Sequence, residues 1–178
     1  LYPMGKVGFP MGLSFYEMPP FWYTLFHDLG FQVILSDPSS SKLYRSGQMT
    51  IPSDTVCFPA KIMHGHVQNL IDKGVPFIFY PCQSYNIEEK NTDNHYNCPV
   101  VAYYSEVIKA NMKVLCKNHI QYFGDYVNIS EKPYFGHKFY EDLKKFYPTL
   151  TEHAVRSASD HAYKAYKEFP YDRPSWDL

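Results

Sequence analysis

The sequence predicts an α/β fold: an open parallel sheet with helices on both faces, followed by a C-terminal helical segment. Three observations carry this. Short apolar runs at residues 6–10, 31–35 and 77–80 alternate with stretches of helical period. The helical stretches stop at Gly30 and Gly74, the residue type best suited to end a helix. An alternation of strand, helix and strand leads to parallel pairing through right-handed crossovers.

Taken in order, residues 6–10 form a strand that ends in a Pro10-Met11-Gly12 turn. Residues 14–29 read as a helix with Phe15, Trp22, Leu25, Phe26 and Leu29 on one face, and Pro19 and Pro20 mark where the helix proper starts. Residues 31–35 are a buried strand; 36–41 form a loop and cap before a short helix at 42–45. In the helix expected at 59–73, Ile62, Met63, Val67, Leu70 and Ile71 make one stripe. A third strand at 77–80 opens at Pro81-Cys82 into a polar loop over 83–97, a length typical of functional or mobile loops. Residues 98–102 are expected to form a fourth short strand, and 105–115 a helix. Beyond residue 118, one more strand with its loop is expected over 120–129, and helices over 136–147 and 151–167. This divides the chain into an α/β domain at 5–117 and a further strand and helical segment at 118–178. A start at Leu1 and a polar tail with Pro170 and Pro174 predict continuation into a longer polypeptide.

Composition narrows the function. Hydrophobic residues are 45% and charged residues 20%, as in a globular chain, and no apolar run approaches the roughly 20 residues of a membrane helix. A formal charge of -1 gives no global attraction for nucleic acid or for an anionic membrane, so neither is an expected partner. The 17 Tyr and 13 Phe are read as core and interface area. Four cysteines without tight pairing, and no signal-like amino terminus, predict a reducing cytoplasmic setting.

Chemistry centres on Cys57, Cys82 and Cys98, each where one element meets the next. Ligands of open α/β sheets collect outside the carboxyl ends of the strands, and gathered thiolates select zinc or an iron–sulfur cluster. The intervals of 24 and 15 residues are unlike the C-x-x-C pairs of zinc ribbons and bacterial ferredoxins, so position is the informative part. Cys57 lies at a helix start, where free N–H groups and the dipole stabilise a thiolate. The competing reading makes all of them small buried apolar residues; it suits Cys116 best, which is left out of the site.

His64-Gly65-His66 places two imidazoles roughly 200° apart on a regular helix, so they do not chelate one ion together. His66, near the apolar stripe, reads as a hydrogen-bonded packing residue. His95, three residues before Cys98, is the better spare ligand or proton donor. Asp93 belongs to a polar run that can bind a metal, orient a substrate or form Asx turns. Phosphate-binding, dinucleotide and nucleophile-elbow motifs are absent from the sequence.

Gly8-Phe9-Pro10-Met11-Gly12, Pro20-Phe21-Trp22, Leu29-Gly30-Phe31-Gln32-Val33, the run from Pro52 through Cys57 to Lys61, His64-Gly65-His66 and the run from Asp93 to Pro99 together resemble the acyl-CoA dehydratase activase-related domain. That family's domain follows BadF/BadG-type ATPase modules and is distantly similar to the cluster-carrying subunits of 2-hydroxyacyl-CoA dehydratases and benzoyl-CoA reductases. The resemblance implies flavodoxin-like α/β layers and an iron–sulfur cluster on Cys57, Cys82 and Cys98; His95, Asp93 and His66 are accessory candidates on their own chemistry and position. Three thiolates leave one iron short of a Cys₄ set, to be met by water, substrate or another part of the protein. It further implies electron transfer from BadF/BadG-type ATPase modules in the same or a partner chain, with an acyl-CoA substrate. This stretch, lacking those modules, is not expected to be active alone. Two alternatives stay open: structural zinc on these cysteines and His95, or an interaction or regulatory domain with packing cysteines and no cluster.

Overall fold

The computed structural model describes residues 3–16, 18–88, 93–117 and 119–169; the tail with Pro170 and Pro174 lies outside them. Strands β1 (Gly5–Phe9), β2 (Phe31–Leu35), β3 (Phe77–Phe79) and β4 (Gln121–Phe123) pair in parallel in the order β2-β1-β3-β4. This is the flavodoxin-like order, with its switch of direction between β1 and β3. The helices are α1 (Pro19–Asp28), α2 (Ser41–Gly47), α3 (Phe58–Asp72), α4 (Pro99–Asn111), α5 (Val114–Lys117), α6 (Lys132–Leu143) and α7 (Glu152–Glu168). No helix among the described residues is long and apolar enough to cross a membrane.

Right-handed crossovers in opposite directions put the helices on both faces. The link from β1 to β2 lays α1 on one face, where α6 and α7 join it. The links from β2 to β3 and from β3 to β4 lay α2, α3 and α4 on the other. The first face is aromatic: the Phe79 ring lies 4.7 Å from Phe26, 4.8 Å from Trp22, 5.0 Å from Phe123 and 5.9 Å from Phe139. One hydrophobic core therefore spans residues on either side of position 117. Nearly all the phenylalanines are interior, whereas Tyr23, Tyr96, Tyr103 and Tyr134 stay exposed.

Local signals explain most boundaries. The two prolines open α1, preceded by a 3-10 turn at Leu13–Tyr16. Ser40 caps α2 by accepting from the Leu43 N–H, and Thr151 caps α7 by accepting from the Ala154 N–H. Gly30 and Gly74 follow α1 and α3 at φ of 86° and 68°, conformations that a side chain would strain.

One expected element is different. Residues 98–102 are not a strand: Cys98 is the N-cap of α4, and Pro99 is its first residue. Proline suits that position because its missing N–H would have no partner there. The adjacent Val100 and Val101 look strand-like locally, but Ala102, Ser105 and Ile108 recur with helical spacing and are buried. The fourth strand is supplied instead by Gln121–Phe123.

The contact between α2 and α3 is close enough to need glycine on both sides. A Cβ on Gly65 would overlap the Leu43 carbonyl oxygen, and one on Gly47 would overlap the Gly65 nitrogen. Backbone cannot move aside as a side chain can, so Gly65→Ala is expected to cost about 1–3 kcal/mol. The check is the urea midpoint against that of wild type; an unchanged midpoint would show that the two helices separate freely.

Candidate functional site at the carboxyl edge of the sheet

Chain direction settles where the cysteines lie. α3 and α4 both run from the carboxyl edge of the sheet back to its amino edge, so both begin on the carboxyl side. Cys57 is the N-cap of α3 and Cys98 the N-cap of α4, and both are exposed. Cys82 follows the end of β3; its N–H donates to the Asp125 carbonyl at 3.1 Å and its own carbonyl accepts from the Val127 N–H at 2.8 Å. All three therefore stand at one edge, and Cys116, in α5 just before β4, stands at the opposite edge.

Sharing an edge is not the same as sharing an ion. Among the described residues, no three His, Cys, Asp or Glu side chains are grouped so as to hold a metal. Cys82 is only 3% exposed, and burial pushes its thiol pKa up, which favours the protonated form. His95 is half-buried against Tyr85 and Tyr96, with ring centroids at 5.9 and 5.7 Å. Asp93 is exposed. The loop around them is tied down at its described ends, where Asn86 N–H donates to the His95 carbonyl at 2.9 Å and Asn97 N–H to the Ser84 carbonyl at 2.8 Å.

The two histidines of α3 are fully buried, and each has both ring nitrogens hydrogen-bonded. Thr50 gives its hydroxyl proton to the Gly47 carbonyl at 2.8 Å, so the 2.7 Å contact with His64 is Nδ1–H donating to Thr50. His64 Nε2 then accepts from the Tyr104 hydroxyl at 3.2 Å, which links α3 to α4. Ser36 Oγ accepts from the Met11 N–H at 2.8 Å and shares a hydrogen bond with His66 Nδ1 at 2.7 Å, while His66 Nε2 shares one with the Ser39 hydroxyl at 3.0 Å. Both ring nitrogens of His66 are thereby engaged by serine hydroxyls, which leaves neither for a metal.

These partners are what a reading of the sequence misses. Tyr104 lies 40 residues from His64, and Ser36 lies 30 from His66. No local pattern announces such pairs. A burial argument gives the one available signal: a histidine on an apolar stripe must find hydrogen-bond partners, and the serines and threonines after the preceding strand are the nearest supply. At the end of β3 a further set forms around Ser105, which donates to the Tyr80 carbonyl and meets the Tyr122 hydroxyl at 2.9 Å. Nearby in the chain, the Tyr80 hydroxyl and Gln83 Oε1 are buried without a partner among the described residues.

Comparison with known proteins adds one finding. The model of the family described as "CoA enzyme activase uncharacterised domain" matches residues 6–174. No curated protein and no solved structure matches the chain significantly.

Burial holds the pKa of each of His64 and His66 at about 4, against 6.5 for the free side chain. The unfolded chain therefore takes up protons first as pH falls through 6.5, and stability declines until the folded histidines also titrate near 4. The loss is expected to be at most about 3 kcal/mol per histidine, from 1.36 kcal/mol per pKa unit. Denaturation series between pH 7.5 and 4 measure it, and His66→Asn should flatten the slope; an equal slope in that variant would show that His66 does not contribute.

Proposed function

Because this chain belongs to the CoA enzyme activase uncharacterised domain family, we propose that it serves an ATP-dependent, low-potential electron-transfer system and works with dehydratase-type proteins. In this reading its sheet edge supplies cysteine ligands to an iron–sulfur cluster. BadF/BadG-type ATPase modules are the electron donors the reading calls for, and an acyl-CoA is the class of acceptor. The observation that most supports it is the delivery of Cys57, Cys82 and Cys98 to one carboxyl edge, the first and last at helix N-caps.

As placed, the three thiols do not form a closed ligand set. Exposed Cys57 and Cys98 are the ligands the edge offers first, and Cys82 follows only if its buried thiol gives up a proton. Remaining coordination comes from outside this domain. When bound, such a cluster supplies one-electron chemistry. The chain's own contribution is positional: the Tyr104–His64 hydrogen bond ties together the two helices that carry Cys57 and Cys98.

The burial of Cys82 and the lack of a grouped ligand set among the described residues favour a second reading, an interaction or regulatory domain whose cysteines are packing residues. Its docking surface would be the exposed Tyr96 and Tyr103 beside the same edge. Anaerobic reconstitution with iron and sulfide, performed on the chain with and without a dehydratase-type partner, separates the two. The first reading expects charge-transfer absorption and bound iron that Cys57→Ser and Cys98→Ser each reduce severalfold. No absorption in either sample, or iron content indifferent to both substitutions, leaves the second. Zinc found instead in freshly purified protein would assign the cysteines and His95 a structural role.

A further inference from the structure

We infer that the pocket between α2 and the start of α3 binds a nucleotide, through the Arg45 guanidinium and the Tyr44–Phe58 ring pair. The pocket has a volume of about 480 Å³, within the ~300–1,000 Å³ range of small-molecule sites. It lies beyond the carboxyl end of β2, the side on which sheets of this kind take their ligands. Neither a cluster nor the cysteine reading is needed for it.

Three features define the ligand. Arg45 lines the pocket, and its guanidinium makes no ion pair or hydrogen bond among the described residues. Asp37, in the loop that precedes α2, is itself held by Lys73 at 2.8 Å and by Asn69 at 2.9 Å. An unpaired guanidinium favours an anion, and its planar fork matches phosphate oxygens two at a time. The second feature is aromatic. Phe58 remains 59% exposed while its ring leans on Tyr44 at 5.2 Å and 34°, so one face is free to take a planar ring. The third is the wall between them: the Ser41 hydroxyl has no hydrogen-bond partner among the described residues, and buried Ile62 forms the apolar floor. A phosphate for Arg45, a flat ring for Phe58 and a hydroxyl-bearing spacer for Ser41 together describe a nucleotide.

Free nucleotide and the nucleotide half of coenzyme A share this chemistry, and calorimetry on the iron-free chain distinguishes them by using ADP and coenzyme A as separate probes. At least one is expected to bind with Kd below about 1 mM. Arg45→Ala should weaken that binding about tenfold or more and Arg45→Lys nearly as much, because lysine lacks the fork. Phe58→Ala should weaken it about fivefold or more, from the loss of stacking. Tighter binding of coenzyme A than of ADP identifies the cofactor as the source; ADP binding as tightly or more tightly identifies free nucleotide. The inference is overturned if neither probe binds, if Arg45→Ala leaves the affinity unchanged, or if inorganic phosphate binds as tightly as ADP. Both side chains are exposed, so circular dichroism of the variants should match wild type. These measurements involve no metal, and their failure would leave the iron reconstitution result untouched.

Discussion

Parallel pairing of β1 with a neighbour on each side is the constraint on which the rest of this molecule depends. Five registered residue pairs join it to β2, and Val7 and Gly8 join it to Phe77 and Ile78 of β3. Since the chain leaves β1 toward β2 and then crosses back to β3, the connecting helices must take opposite faces. The loops that leave β1 and β3 then diverge at the carboxyl edge. Met11, Ser36, Cys57, Cys82 and Cys98 all reach that edge through this one topological fact, although they come from five separate stretches of sequence.

The two faces of the sheet are stabilised differently, and the difference bears on the site. Under α1 and α6 the packing is aromatic and apolar, with Phe26, Phe79 and Phe139 in mutual contact, and its contribution comes from burial. Under α3 and α4 the interior contains polar groups: His64, His66, Ser36 and Ser105 are all nearly inaccessible. Unbonded, each would cost far more than a hydrogen bond returns. The bonds that satisfy them run between elements, from α3 to α4 and from α3 to the loop after β2. Such bonds restrict how those helices shift, and α3 and α4 are the ones that begin with Cys57 and Cys98.

Much of this arrangement was legible in the residues. Gly30, Gly74, Pro19 and Pro20 punctuate the helices for local reasons, and the apolar stripe from Ile62 to Ile71 announces α3 unaided. Residues 98–102 were not legible in the same way: two valines beside a cysteine satisfy a strand pattern over a short window, and only the longer period from Ala102 to Ile108 and the preference of Pro99 for a first turn reveal α4. The reading of His66 as a packing residue came from its place near the stripe, and in the structure two serine hydroxyls meet its ring nitrogens. The free state of Arg45 had no signature, because whether a charge is paired depends on residues distant in sequence.

The sequence by itself determined the alternation of strands and helices, their approximate limits and the placing of three cysteines at element ends, since all of these rest on interactions within a few residues. Tertiary structure alone decided the rest: that Cys57 and Cys98 are exposed at helix starts while Cys82 is enclosed, that His64 is tied to Tyr104, and that no three ligands are grouped among the described residues. The physical reason is range. Propensity, capping and period act locally, whereas burial and hydrogen-bond partnership depend on which distant segments the parallel sheet brings side by side.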